Sequence, residues 1–310
     1  FIIFFGLASA LNMFPTPAWA SLMSEYIPPS KRGRYFGWRC AALGLVYCGT
    51  IVVAGVFLHF FQMISLVWAF GILFIAASIA RFISCYFLTL LYEPKWRVSH
   101  DDYFSFWQFI SKFRQSNFAR FAIMAALLNF TVALVAPFFA VYLLKELKFD
   151  YFSFTILIGA AVFTTFVTQR YWGVLADRYG NMRIIRLSVL LLSLNPLLWL
   201  FSHDFMYLIL VQLMGGFFWA GFNLTSGNFI YDVAIETKRE RCLSYYNFMC
   251  GVGLGCGALL GGYLYSISPV FFGSRFFPLL ILSGFLRLLL AYGFRRYTKE
   301  VRRFGPALKA

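Results

Sequence analysis

The sequence holds 12 Asp and Glu residues and three His. All of them, from Glu25 through Asp177 and Asp232 to Glu300, fall between apolar runs or at their ends, as do His59, His100 and His203. A hydrolase or metalloenzyme would need a constellation such as H-E-x-x-H, a Ser beside a base, or clustered His and Asp. None occurs, so no enzyme activity, cofactor or metal site is expected. The six cysteines form no C-x-x-C pair and read as small hydrophobes. Two other kinds of chemistry remain. Three loops pair a carboxylate with basic residues: Glu25 with Lys31, Arg32 and Arg34; Asp177 with Arg178 and Arg183; and Asp232 with Lys238, Arg239 and Arg241. Such charges can form charge-assisted bonds in one conformation and part in another, which suits a gate. Small polar side chains and Trp also sit inside apolar runs, where lipid would penalise them and a bound solute could use them. Asn12, Thr16 and Trp19 share a helical stripe at i, i+4 and i+7, Trp219, Asn223 and Ser226 form a second, and Asn129 and Asn247 join them.

The elements that must position these groups follow from composition. Hydrophobic residues make up 61% of the chain and charged residues only 13%, too little polar surface to face water on all sides. At roughly 33 residues per span with its share of loop, about nine spans fit. Apolar runs lie at 1–22, 38–60, 64–92, 118–144, 152–171, 185–201, 206–230, 246–266 and 276–294. The net charge of +15 sits in the short connections and reads as a topology signal, not as a nucleic-acid footprint. Basic residues crowd every second loop and the C-terminal end, whereas the other loops carry only Lys145, Lys148 and Arg275. That bias predicts a multi-pass membrane protein with a cytoplasmic C-terminus, and the expected location is a bacterial inner membrane.

Residues 93–117 read as a cytoplasmic linker. Within it, aromatic residues from Tyr103 to Phe113 alternate with polar ones at near-helical spacing, as in a helix lying in the headgroup layer. The expected organisation is 1–92 as three spans of a first half, 118–297 as a second half of six, and 298–310 as a basic tail. A shift of 207 residues superposes Glu25 on Asp232, Lys31 on Lys238, Arg32 on Arg239 and Arg34 on Arg241, and a shift of 206 superposes Arg81 on Arg287. The two halves are therefore parallel repeats. Arg81 and Arg287 lie deep in their spans, either as anion or gating contacts or, on the favoured structural reading, with the guanidinium bonding a neighbouring backbone carbonyl or carboxylate.

With these motifs in hand, the chain resembles the major facilitator superfamily of twelve-helix secondary transporters. Gly173-Val-Leu-Ala-Asp177-Arg178-Tyr-Gly180-Asn181-Met182-Arg183 is similar to that family's signature loop. Glu25–Arg34 and Asp232–Arg241 are similar to the loops after the fourth and tenth helices. Asn181 stands where the family usually has a basic residue. The resemblance implies an all-α polytopic membrane protein, an MFS-like helical bundle in which the spans are helices four to twelve. Phe1 is not an initiator Met, so the chain is expected to begin partway through a longer protein. The implied function is transport of a small solute by alternating access, with the signature loop as gate and the two polar stripes, Asn129 and Asn247 lining the cavity. The alternative is a truncated or degenerate module of the same plan without transport. Solute, direction, coupling ion and oligomeric state are left open by the sequence.

Overall fold

In the computed structural model the described residues are 19, 22–23, 26–28, 31–61, 66–92, 106–111, 116–149, 151–234, 238–271 and 274–301. The architecture is helical, with no strand beyond an isolated bridge between Phe271 and Ser274 among the described residues. Two compact units are present, one grouping Phe1–Ala41 with Val98–Ala310 and the other Ala42–Arg97. Helix α1 (Arg32–Phe61) runs through both, and α2 (Leu66–Thr89) belongs to the second unit. The expected first span falls almost wholly outside the described residues.

The larger unit continues with α3 (Phe106–Ser111), α4 (Asn117–Ala133), the single turn α5 (Phe138–Val141) and a π-helical turn (Tyr142–Glu146). Next come α6 (Tyr151–Tyr179), α7 (Asn181–Leu198), α8 (Phe205–Val233), α9 (Arg239–Ile267) and α10 (Phe276–Tyr297). Among the described residues, six stretches are long and apolar enough to cross a bilayer: Trp68–Thr89, Asn117–Glu146, Asn181–Leu198, Phe205–Val233, Arg239–Ile267 and Phe276–Tyr297. Helices α1 and α6, with 30 and 29 residues, also have the length to cross one, and each carries a stretch free of charged residues, 40–57 and 152–169. The chain is an all-α polytopic membrane protein.

Local chemistry sets the element ends. Ser116 caps α4 by accepting from the Ala119 N–H at 3.3 Å, and Asp204 caps α8 by accepting from the Tyr207 N–H at 3.1 Å. Gly180 alone separates α6 from α7, and its φ of 96° is the left-handed backbone that a one-residue reversal requires. The span predicted at 118–144 is interrupted: Pro137 has no N–H to continue the ladder, the chain tightens into turns at 134–137, and the helix resumes at Phe138. The interruption is held by an apolar cluster in which Tyr142 stacks on Phe276 at 4.5 Å between ring centres and Phe139 meets the edge of buried Trp199.

Helix α9 lies against α4 along Gly253, Gly257 and Gly261, whose positions face the carbonyl oxygens of Ala126, Phe130 and Leu134. In lipid there is no hydrophobic gain from joining two apolar helices, so this i, i+4, i+8 run of small residues supplies the packing instead, by letting the backbones touch. Gly216 of α8 meets Ala161 of α6 in the same way. Helix α10 packs against α7 and α4, with Ser283 donating to the Thr131 carbonyl at 2.6 Å.

Candidate functional site

At the basic end of the larger unit, the Asp177 carboxylate of α6 reaches the start of α1. Oδ1 accepts from the Gly33 N–H at 3.1 Å and Oδ2 from the Arg34 N–H at 2.8 Å. The first N–H groups of a helix have no partner within the helix and carry the positive end of its dipole, so a carboxylate there satisfies two donors and complements that dipole. The approach is possible because both helices present glycine. A Cβ on Gly33 would stand 2.5 Å from the Gly173 carbonyl oxygen and 2.7 Å from Asp177 Oδ1, and one on Gly37 would stand 2.6 Å from the Gln169 oxygen. The sequence predicted a charged loop whose own basic residues pair with Asp177. Instead, Arg34 offers Asp177 its backbone N–H, and exposed Arg178 lies 5.3 Å from the Tyr179 ring. Arg183 is exposed as well.

A second cluster lies beside the first. Arg32 Nη1 and Asp232 Oδ1 are 3.7 Å apart with both side chains buried, and Arg32 Nε also donates to the Ile27 carbonyl at 3.1 Å. Asn181, 1% exposed, donates from Nδ2 to Asp232 Oδ2 at 2.6 Å. The amide that departs from the expected basic residue therefore bonds the same carboxylate as Arg32. Arg239 is buried, with Nη2 3.5 Å from the Tyr231 carbonyl oxygen; Arg241 is half-buried. Gly180 has no side chain to cap α7, and Glu300 Oε2 accepts from the Met182 N–H at 2.8 Å in its place. Glu25 lies outside the described residues.

Of the residues expected to line a cavity, Asn12 and Thr16 also lie outside the described residues, and Trp19 receives the Arg39 guanidinium over its ring at 4.0 Å. Trp219 is half-buried against Phe222, while Asn223 and Asn247 are exposed. Asn129 and Ser226 are brought together through α9. The Tyr246 hydroxyl stands beside the Ser226 hydroxyl and the Cys250 thiol, and Cys250 stands beside the Asn129 amide. Asn129 Nδ2 donates to its own helix at Ala125, and buried Ser226 Oγ has no well-formed hydrogen bond. Tyr246 and Cys250 were missed from sequence because a Tyr and a Cys read as apolar filling. Their i, i+4 spacing was the available signal. Arg287 is buried and bonds the Leu192 carbonyl of α7, the structural arrangement expected for it.

The Major Facilitator Superfamily model matches residues 121–307. The chain belongs to the major facilitator superfamily. Within it, the chain is 26% identical over 138 residues to the quinolone resistance protein NorA of Staphylococcus aureus (strain MRSA252), covering 44% of this chain and 35% of that relative. It is 28% identical over 149 residues to the class B tetracycline resistance protein of Escherichia coli, covering 48% of this chain and 36% of that relative. These matched stretches span about a third of each curated relative's length. Among solved structures, a bacterial homologue of the iron transporter ferroportin in its outward-facing state superposes with a TM-score of 0.65 at 14% identity, covering 88% of this chain and 66% of that one. The likeness gives this superfamily member the same fold.

Proposed function

We propose that this chain works in a transmembrane carrier that moves a small amphipathic solute by alternating access. One observation carries the reading: Asp177 binds two backbone N–H groups at the start of α1. A hydrogen bond to a charged group contributes about 1.5–3 kcal/mol, so this latch is strong enough to bias a two-state equilibrium and weak enough for ligand binding to overcome. In this proposal 1–92 and 118–297 are the two halves, 93–117 joins them, and the basic end with the C-terminus is cytoplasmic in a bacterial inner membrane. The latch then closes the cytoplasmic side, and Gly33, Gly37 and Gly173 let α1 and α6 come close enough for it to form.

The solute site we assign is the polar seam of Asn129, Ser226, Tyr246 and Cys250, with Trp219 and Asn223 on the same stripe of α8 as Ser226. It offers hydrogen bonds and aromatic faces but no fixed charge, which favours a neutral or weakly charged amphipathic molecule. The names of the quinolone and tetracycline resistance relatives support the same class. The test is flux of a panel of such compounds through the intact protein in proteoliposomes, with Asp177→Ala at equal reconstitution. Reduced flux in the variant is expected, and wild-type flux would remove Asp177 from the mechanism.

A further inference from the structure

The two sides of the α4–α9 contact differ in chemistry. The polar seam occupies one side. On the other, a cavity of about 470 Å³ is lined almost wholly by carbon, with Ile123, Leu127 and Phe130 from α4 and Phe248, Val252 and Cys256 from α9. The first three recur at i, i+4 and i+7 and the last three at i, i+4 and i+8, so each set covers one helix face. Phe106 of the linker helix closes the basic end, meeting Tyr245 and Phe248 edge-on with ring centres 5.4 Å away in both cases. Elsewhere the groove is open: Leu127 is 43% and Phe248 57% exposed, on helices apolar enough to cross a bilayer.

One turn beyond Ile123, towards the basic end, stands Arg120. Its Nε is buried without an acceptor, and among the described residues its guanidinium meets no carboxylate. Exposed Lys299 is tied to the same helix end, its carbonyl accepting from Asn117 Nδ2 at 2.7 Å and its N–H donating to Asn117 Oδ1 at 2.9 Å. An apolar groove on membrane-spanning helices, with a guanidinium whose Nε lacks an acceptor one turn beyond it and the backbone of Lys299 tied to the same helix end, matches an anionic phospholipid. We propose that it holds one acyl chain of such a lipid along α4 and α9, with the phosphate at Arg120 and Phe106 folded over the entry.

The test uses the purified full chain in mild detergent with phosphatidylglycerol carrying a diazirine in one acyl chain. Crosslinks are mapped by peptide mass spectrometry. Crosslinks within 123–130 and 248–256 are expected. Leu127→Trp, which fills the groove, should abolish them, and Arg120→Gln should weaken phosphatidylglycerol retention about tenfold, the loss of one charge-assisted bond. Size-exclusion profiles matching wild type establish that the variants fold. Diazirine phosphatidylcholine should label these peptides weakly, and excess inorganic phosphate should not displace the lipid, because it brings no chain. Unchanged labelling in both variants, equal labelling by phosphatidylcholine, displacement by phosphate alone, or a crosslink from these peptides to another protein segment in place of lipid would each overturn the proposal.

Discussion

Arg287 donates from Nη1 to the carbonyl oxygen of Leu192 across 3.2 Å. Four residues beyond Leu192 stands Pro196, inside α7. In an α-helix the Leu192 carbonyl would accept from the N–H of residue 196, and proline has none. The arginine of α10 therefore fills the vacancy that the proline of α7 creates. This explains why a cation is tolerated deep in an apolar helix pair: in lipid an unmade backbone bond costs several kcal/mol, and the guanidinium supplies the missing donor.

That pairing predicts a double-mutant result. Arg287→Met should lower the thermal stability of the detergent-solubilised protein, by about 1–3 kcal/mol for one carbonyl left unsatisfied. Adding Pro196→Ala supplies the helix's own N–H, so the double variant should recover much of that loss. A double variant no more stable than Arg287→Met alone would break the link between the two residues.

The glycine contacts predict opposite outcomes at neighbouring sites. Gly257→Ala drives a methyl against the Phe130 carbonyl and should destabilise by about 1–3 kcal/mol, as overpacking does. Gly255 has open space around its Cβ direction, so Gly255→Ala should be neutral or stabilise by up to about 1 kcal/mol. Thermal unfolding of the two variants side by side checks the contrast.

For the buried pair, Asp232→Ala should be the more damaging change, about 3–5 kcal/mol, because it strips Arg32 and Asn181 of a shared acceptor. Replacing both charges, with Arg32→Met and Asp232→Leu, should cost less than Asp232→Ala alone. Denaturation midpoints of the three proteins decide it.

Latch and solute site should separate kinetically. If the polar seam binds solute, Asn129→Ala and Tyr246→Phe should raise KM several-fold with little change in maximal flux, the pattern of lost ground-state binding. Asp177→Ala should instead depress maximal flux. Initial-rate measurements on reconstituted protein distinguish these, and equal effects on both parameters in all three variants would dissolve the distinction.

The sequence by itself determined that this is a bundle of membrane-crossing helices, and it located most of them within a few residues. The span predicted at 206–230 is the helix Phe205–Val233, and that at 276–294 is Phe276–Tyr297. Apolarity and charge bias are properties of a stretch of chain, and the bilayer sorts stretches by them. The same signal misplaced the start of the 246–266 span, because α9 begins at Arg239: hydropathy marks where lipid begins, while a helix can run on through charged residues beyond it. Which groups meet was decided only by the tertiary structure. Asp177 could have paired with Arg178 or Arg183 in its own loop, yet it caps a helix 143 residues away, because Gly33 and Gly173 allow two backbones to close to a distance that no local pattern encodes. Asn129 met Cys250, and Arg287 met the gap left by Pro196, for the same reason: a buried polar group in lipid takes whichever partner the packing brings, and packing joins segments far apart in the chain.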